Sequence, residues 1–106
     1  MNCTLDICGH KKIQNPTESD IRQAVFELDT KKSDAFLILG PTHMTYIQIG
    51  GDQNVGFEVE YQDTDAKHHY RAKRSLTADE IVRALVSYAT GADEWKTMTE
   101  WEPIKW

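Results

Sequence analysis

The sequence has no long apolar stretch. Its longest uninterrupted run is Ala35-Phe36-Leu37-Ile38-Leu39, far short of the ~20 residues that a bilayer-spanning helix needs. The N-terminus lacks a basic region followed by an apolar one, so no secretory leader is expected. Cysteine is scarce, with only Cys3 and Cys8. In an extended stretch from Asn2 to Cys8 their α-carbons would stand about 17 Å apart, beyond disulfide reach. The reading is two reduced thiols, one buried with Leu5 and Ile7, in a cytoplasmic protein. Cys-x-x-Cys and His-Glu-x-x-His patterns are missing, and His68 and His69, as strand neighbours, point to opposite faces. Neither a metal nor a cofactor is expected. Gly50-Gly51-Asp52 reads as a turn, not as the Gly-x-Gly-x-x-Gly that opens a nucleotide-binding helix. Positive charge is short as well. Twelve Lys and Arg against 17 Asp and Glu leave a net charge of −5, which argues against a nucleic-acid binder held by phosphate contacts.

What is present is an ordinary globular composition, 40% hydrophobic and 27% charged over 106 residues. That suits a single domain over 1–106 whose core needs no staple. Asn15-Pro16-Thr17-Glu18 predicts a helix start, with Asn15 as cap and Glu18 closing a capping box. Ile21, Ala24, Val25 and Leu28 then fall on one face. The polar segment Asp29 to Asp34 ends that helix. Four apolar-rich runs follow, at 35–39, 44–49, 55–62 and 67–74, separated by short polar loops, which predicts an antiparallel meander. Thr77-Ala78-Asp79-Glu80 is a second capping box. Ile81, Val82, Leu85, Val86, Tyr88 and Ala89 form the stripe behind it, and Gly91 is placed to end the helix. The segment from Ala92 carries Trp95, Trp101 and Trp106, too apolar for a disordered tail. Trp95 and Trp101 are expected to fold back on the sheet or the second helix. The fold class is therefore α+β, an antiparallel β-meander with two helices packed on one face, in the order β-α-β-β-β-β-α-tail.

The last hairpin allows an internal check. A four-residue loop pairing Gln62 with Lys67 sets Glu60 opposite His69 and Glu58 opposite Arg71 on a polar face, with Tyr61, Val59, Phe57, Tyr70 and Ala72 behind. His69 then belongs to an outer charged face. In the earlier strands Phe36, Ile38, Ile47, Ile49 and Val55 are expected to continue the inner face. Leu37, Leu39, Met44 and Tyr46 fall on the reverse side, too apolar for bare solvent. A C-terminal segment, a second copy forming a homodimer through those four residues, or another protein would cover them.

No constellation of catalytic residues stands out. Cys8-Gly9-His10 is adjacent in sequence only, and catalytic cysteine–histidine pairs meet in space from distant positions. Glu58 and Glu60 share a strand face with His69 and Arg71 opposite, the pattern of a solvated ion-paired surface. Charge distribution is more informative. From Ala35 to Ala66 there are five acids, Asp52, Glu58, Glu60, Asp63 and Asp65, and no Lys or Arg. The tail adds Asp93, Glu94, Glu100 and Glu102 against Lys96 and Lys105. Acidic surface beside aromatic anchors suits a basic protein partner.

Several of these stretches together resemble a family. They are the strand Met44-Thr45-Tyr46-Ile47-Gln48-Ile49-Gly50-Gly51, the strand Gly56-Phe57-Glu58-Val59-Glu60-Tyr61, and Ser75-Leu76-Thr77-Ala78-Asp79-Glu80 opening a helix. Tyr88 and Gly91 close that helix ahead of a tryptophan-bearing end with Trp95 and Trp101. From about Ile21 to Trp101 the chain resembles the small bacterial immunity proteins of polymorphic and contact-dependent toxin systems, most closely those associated with nucleic-acid deaminase toxins. The resemblance implies a cytoplasmic, non-enzymatic protein that binds the C-terminal domain of a cognate toxin, a deaminase or nuclease, and blocks its catalytic site. It implies no cofactor, no nucleic acid and no membrane. With the charge asymmetry, it makes Asp52, Glu58, Glu60, Asp63, Asp65, Asp93, Glu94, Trp95 and Trp101 the candidate partner contacts. The alternative is a non-enzymatic, self-associating interaction or regulatory module.

Overall fold

Two Thr-x-x-acid boxes start the two long helices. Thr17 Oγ1 accepts from the Asp20 amide at 3.1 Å and the Asp20 carboxylate accepts from the Thr17 amide at 2.9 Å. This box opens α1 (Glu18–Glu27). The expected cap, Asn15, is used elsewhere: at φ 48° it turns the chain, and its side-chain oxygen accepts from the Cys3 amide. Two capping signals overlap in this segment, and the one that leaves Asn15 free to close the N-terminal hairpin is formed. The second box is the expected one. Thr77 and Glu80 exchange hydrogen bonds at the start of α2 (Ala78–Ala89). A third helix, α3 (Glu94–Thr97), occupies part of the segment after Gly91.

The computed structural model describes residues 2–32 and 34–104. Ser33 of the polar segment and Lys105 and Trp106 of the tail lie outside the described residues. The strands are β1 (Thr4–Ile7), β2 (Lys11–Gln14), β3 (Phe36–Gly40), β4 (Tyr46–Asp52), β5 (Gly56–Asp63), β6 (Asp65–Ala72) and β7 (Trp101–Pro103). They form one sheet in the order β2-β1-β3-β4-β5-β6-β7, antiparallel at every pairing. The fold is α+β, and the expected meander is β3 to β6. The structure adds β2 and β7 at the two edges. In β2 only Ile13 is apolar among Lys11, Lys12 and Gln14, which suits an edge strand where lysines discourage pairing with other chains. Both cysteines are free, Cys3 buried and Cys8 partly so.

One face of the sheet carries Leu5, Leu37, Leu39, Ile47, Ile49, Phe57 and Val59, packed with Ile21 and Val25 of α1 and Ile81 and Leu85 of α2. This corrects the expected orientation of β3. Leu37 pairs with Ile49 and Leu39 with Ile47, so both leucines are inside and Phe36 and Ile38 lie on the reverse face. Every side chain from Phe36 to Leu39 is apolar, so alternation could not choose a face. Pairing with Ile47 and Ile49 does. The homodimer surface drawn through Leu37, Leu39, Met44 and Tyr46 is therefore not available, since both leucines belong to the monomer's own core. Val55 was expected inside. It sits in the β4–β5 turn and is 68% exposed.

The β5–β6 hairpin keeps its predicted faces but not its register. Glu60 pairs with Arg71, Tyr61 with Tyr70 and Gln62 with His69, two residues from the expected pairing. The turn is tighter than four residues: Asp63 pairs with Asp65 across Thr64, whose φ is 70°. A bulge after Gln62 then takes up the surplus residues of β6. A two-residue shift preserves which side chains share a face.

Two carboxylates fasten loops to this frame. Asp52 is only 2% exposed. One of its oxygens accepts from the Thr30 amide and hydroxyl at 2.9 Å, and the other from the Asn54 and Val55 amides at 2.9 and 3.0 Å. It ties the loop after α1 to the β4–β5 turn. Glu80 receives both terminal nitrogens of Arg74, at 3.1 and 2.6 Å. The Thr30 amide, first among its donors, lowers the Asp52 carboxyl from 3.8 to about 2. Arg74 does the same for Glu80, from 4.5 to about 2. A carboxyl more acidic in the folded state stabilises the fold above its unfolded pKa, and that contribution is lost as pH falls through the folded value. We therefore expect full stability from these two groups above about pH 4.5 and progressive loss toward pH 2. In urea unfolding across that range, Asp52→Asn with Glu80→Gln should lower neutral-pH stability and flatten the acid limb. An unchanged acid slope would contradict these roles.

Candidate functional site

At the end of the sheet where β5 runs into its turn, aromatic side chains from five elements converge. Trp95 of α3 packs edge-on to Tyr61 of β5, with ring centroids 4.8 Å apart, and tilts against Tyr88 of α2 at 5.2 Å. Trp101 of β7 meets Tyr61 at 4.8 Å and Trp95 at 5.9 Å. Tyr70 stacks on Tyr61 at 5.0 Å. These are the offset and edge geometries that aromatic quadrupoles favour. Trp95 and Trp101 thus fold back as the sequence suggested, and a pocket of about 200 Å³ opens beside them.

One wall of this pocket is the sheet end, with Thr45, Tyr61, Gln62 and Asp63. Its shape is pinned by hydrogen bonds. The Thr64 amide donates to Thr45 Oγ1 at 3.1 Å, and Gln62 Nε2 donates to the Met44 carbonyl at 3.0 Å. Gly40 lets the β3–β4 connection close tightly, because a Cβ there would lie 2.2 Å from the Thr45 carbonyl oxygen. The opposite wall is Tyr88, Gly91, Ala92, Asp93, Trp95 and Lys96. Gly91, at φ 79°, reverses the chain after α2. Ser87 then holds the reversal. Its carbonyl accepts from the Ala92 amide at 3.0 Å and its hydroxyl from the Trp95 amide at 3.2 Å. Trp101 Nε1 donates to the Lys96 carbonyl, joining α3 to β7.

The pocket is polar at its rim and aromatic inside. Asp63 and Asp93 are exposed at its edge, and among the described residues neither carboxylate has a hydrogen-bond or ion-pair partner. Burial first, then Tyr70 and Asp63, raises the Tyr61 hydroxyl above the ordinary tyrosine range. Burial, Cys3 and Asp63, in that order, raise Tyr88 well above it. Both hydroxyls stay protonated and feel the Asp63 charge. Lys96 Nζ lies 5.3 Å from the Trp95 ring centroid, within cation–π range.

The nine predicted contacts separate accordingly. Asp63, Asp93 and Trp95 line this pocket. Asp65 lies across the tight turn from Asp63, its carboxylate 2.9 Å from the His68 ring. That bond, ahead of other causes, lowers its pKa. Trp101 is half-buried behind the pocket. The others lie elsewhere. Asp52 is an interior loop fastener, as described above, and is withdrawn from any contact surface. Glu94 pairs with Arg83 at 3.5 Å in the groove between the helices. Glu58 and Glu60 line a depression on the reverse sheet face with Arg71, Lys73 and Arg74, where the charges are mixed. There Glu60 accepts from His69 Nε2 at 2.7 Å, and Gln62 Oε1 faces His69 Nδ1 at 3.0 Å. His69 is on the reverse face as expected but is 4% exposed rather than solvated. Trp95, offered as a surface anchor, is 6% exposed, so only its pocket edge is open.

Tyr61 and Tyr88 were not singled out as site residues, because both fall on apolar faces. Their hydroxyls were the available signal: a tyrosine in an apolar stripe needs an outlet for its O–H. If Trp95 seats the pocket, Trp95→Ala should destabilise the fold by about 3–5 kcal/mol in urea unfolding. Asp63→Asn and Asp93→Asn should leave the midpoint unchanged. A loss below about 1 kcal/mol for Trp95→Ala would mean that the indole does not hold this end together.

Compared with protein-family models, curated proteins and solved structures, the chain matches none.

Proposed function

We propose that this chain is a non-enzymatic inhibitory binding protein, an immunity protein that neutralises a cognate nucleic-acid-targeting toxin in the cytoplasm of the producing cell. Docking uses the end of the fold built by Asp63, Asp93 and Trp95. The observation that carries the reading is that two carboxylates without protein partners border an aromatic pocket. Several other acids are committed within the chain, Asp52 to backbone amides, Glu80 to Arg74, Glu102 to Arg71 and Glu94 to Arg83, and Glu58 lies among Arg71, Lys73 and Arg74. Free carboxylates beside aromatic surface attract a basic partner and then exclude water around the contact. A toxin that acts on nucleic acid needs a basic substrate cleft, and an acidic plug competes there by charge. Such association is steered and falls with ionic strength.

Co-expression with the toxin domain encoded beside this gene tests the proposal. Growth should be rescued and the two chains should co-purify. In binding measurements, Asp63→Lys with Asp93→Lys should weaken affinity by at least about tenfold, and raising salt from about 0.05 to 0.5 M should do likewise. Glu58→Lys, on the reverse face, should change affinity less than about threefold. Failure to rescue, or an affinity indifferent to salt and to both charge reversals, would overturn the reading.

A further inference from the structure

We infer that the pocket between Tyr61, Tyr88 and Trp95 receives a single arginine side chain of the protein partner, with the guanidinium held between Asp63 and Asp93. The inference rests on the proposal that this end of the fold docks a protein, and it names the chemistry of the contact.

Size comes first. At about 200 Å³ the pocket is smaller than the roughly 300–1,000 Å³ of small-molecule sites and suits one side-chain head. Its polar groups supply a second argument. Tyr88 and Trp95 are each only 6% exposed. Among the described residues the Tyr88 hydroxyl and Trp95 Nε1 have no hydrogen-bond partner, while no fully buried side-chain nitrogen or oxygen is left unpaired. Neither polar atom is therefore fully sealed, and both side chains line the pocket. A buried hydroxyl kept open in this way is available to a ligand.

Charge then selects the ligand class. Two carboxylates against the one ammonium of Lys96 leave the rim negative, so an anion is disfavoured. The Trp95 ring already carries a cation, since the exposed Lys96 places its Nζ over it. Guanidinium fits better than a second ammonium. It is planar, weakly hydrated and stacks on rings, and its five N–H donors can meet two carboxylates and two hydroxyl oxygens at once. An ammonium would have to shed a tighter hydration shell for fewer directed bonds.

The test is an NMR titration of the ¹⁵N-labelled full chain with N-acetyl-arginine amide, followed at the Trp95 indole N–H and the Gly91 and Ala92 amides. Saturable shifts are expected with a dissociation constant of about 1–10 mM, the scale of a few kcal/mol for a single side chain. The uncharged citrulline analogue should give no saturable shift, and N-acetyl-lysine amide should bind at least about threefold more weakly. Asp63→Asn with Asp93→Asn, both exposed positions, should abolish the arginine shifts while leaving the rest of the spectrum in place. Absence of saturation, equal shifts with citrulline, lysine binding as well as arginine, or persistence in the double variant would each overturn the inference. Growth rescue is read separately. Rescue without an arginine shift would remove the pocket's ligand and leave the inhibitory role. An arginine shift without rescue would do the reverse.

Discussion

The seating of Trp95 between Tyr61 and Tyr88 is the contact on which this end of the molecule depends. One indole joins the sheet, the end of α2 and the chain that follows Gly91. Trp101 extends the cluster to the edge strand β7 and, through its indole N–H, holds the carbonyl of Lys96. Without this packing the segment from Ala92 to Met98 would keep only polar ties, the two hydrogen bonds that Ser87 accepts, the Arg83–Glu94 pair and the bond from Arg74 to the Met98 carbonyl. Asp93 would then have no fixed position relative to Asp63. Preorganisation of this kind lowers the ordering cost that a binding surface meets on association.

Carboxylates have contrasting roles in the same meander. Asp52 accepts four hydrogen bonds from one loop and one turn, and its charge is spent on holding them. Asp63, eleven positions further on, closes a tight turn, and its carboxylate accepts none among the described residues. On the reverse face Glu58 and Glu60 sit among Arg71, Lys73 and Arg74, so their field is largely cancelled. Composition alone makes all of them equally acidic, but hydrogen bonding and neighbours decide which remain able to attract a partner.

Much of the fold was legible because its signals are local. Thr77 and Glu80 lie three apart in a capping box, Gly91 stands at a reversal, and Ile81, Val82 and Leu85 share a stripe, each readable within a few residues. β3 was not, since a strand apolar on both faces is oriented by its neighbours alone, and the resulting error placed Leu37 and Leu39 outside. The β5–β6 hairpin kept its faces, because a two-residue shift conserves them. Its register needed Thr64 at positive φ, which a non-glycine residue does not advertise. The site was half readable. Acids near tryptophans pointed to Asp63, Asp93 and Trp95, but sequence could not separate them from Asp52, whose burial comes from Thr30 on a distant loop. Tyr61 and Tyr88 were hidden by their own apolar surroundings.

The most direct measurement is a crystal structure of this chain bound to the catalytic domain of the toxin that we propose it neutralises. A basic surface of that domain is expected over the end of the sheet, with Asp63 and Asp93 on either side of an inserted cationic side chain and the cluster of Tyr61, Tyr88 and Trp95 unmoved. A toxin seated on the reverse sheet face around Glu58 and Arg71, or in the groove between α1 and α2, with Asp63 and Asp93 left in solvent, would contradict this expectation.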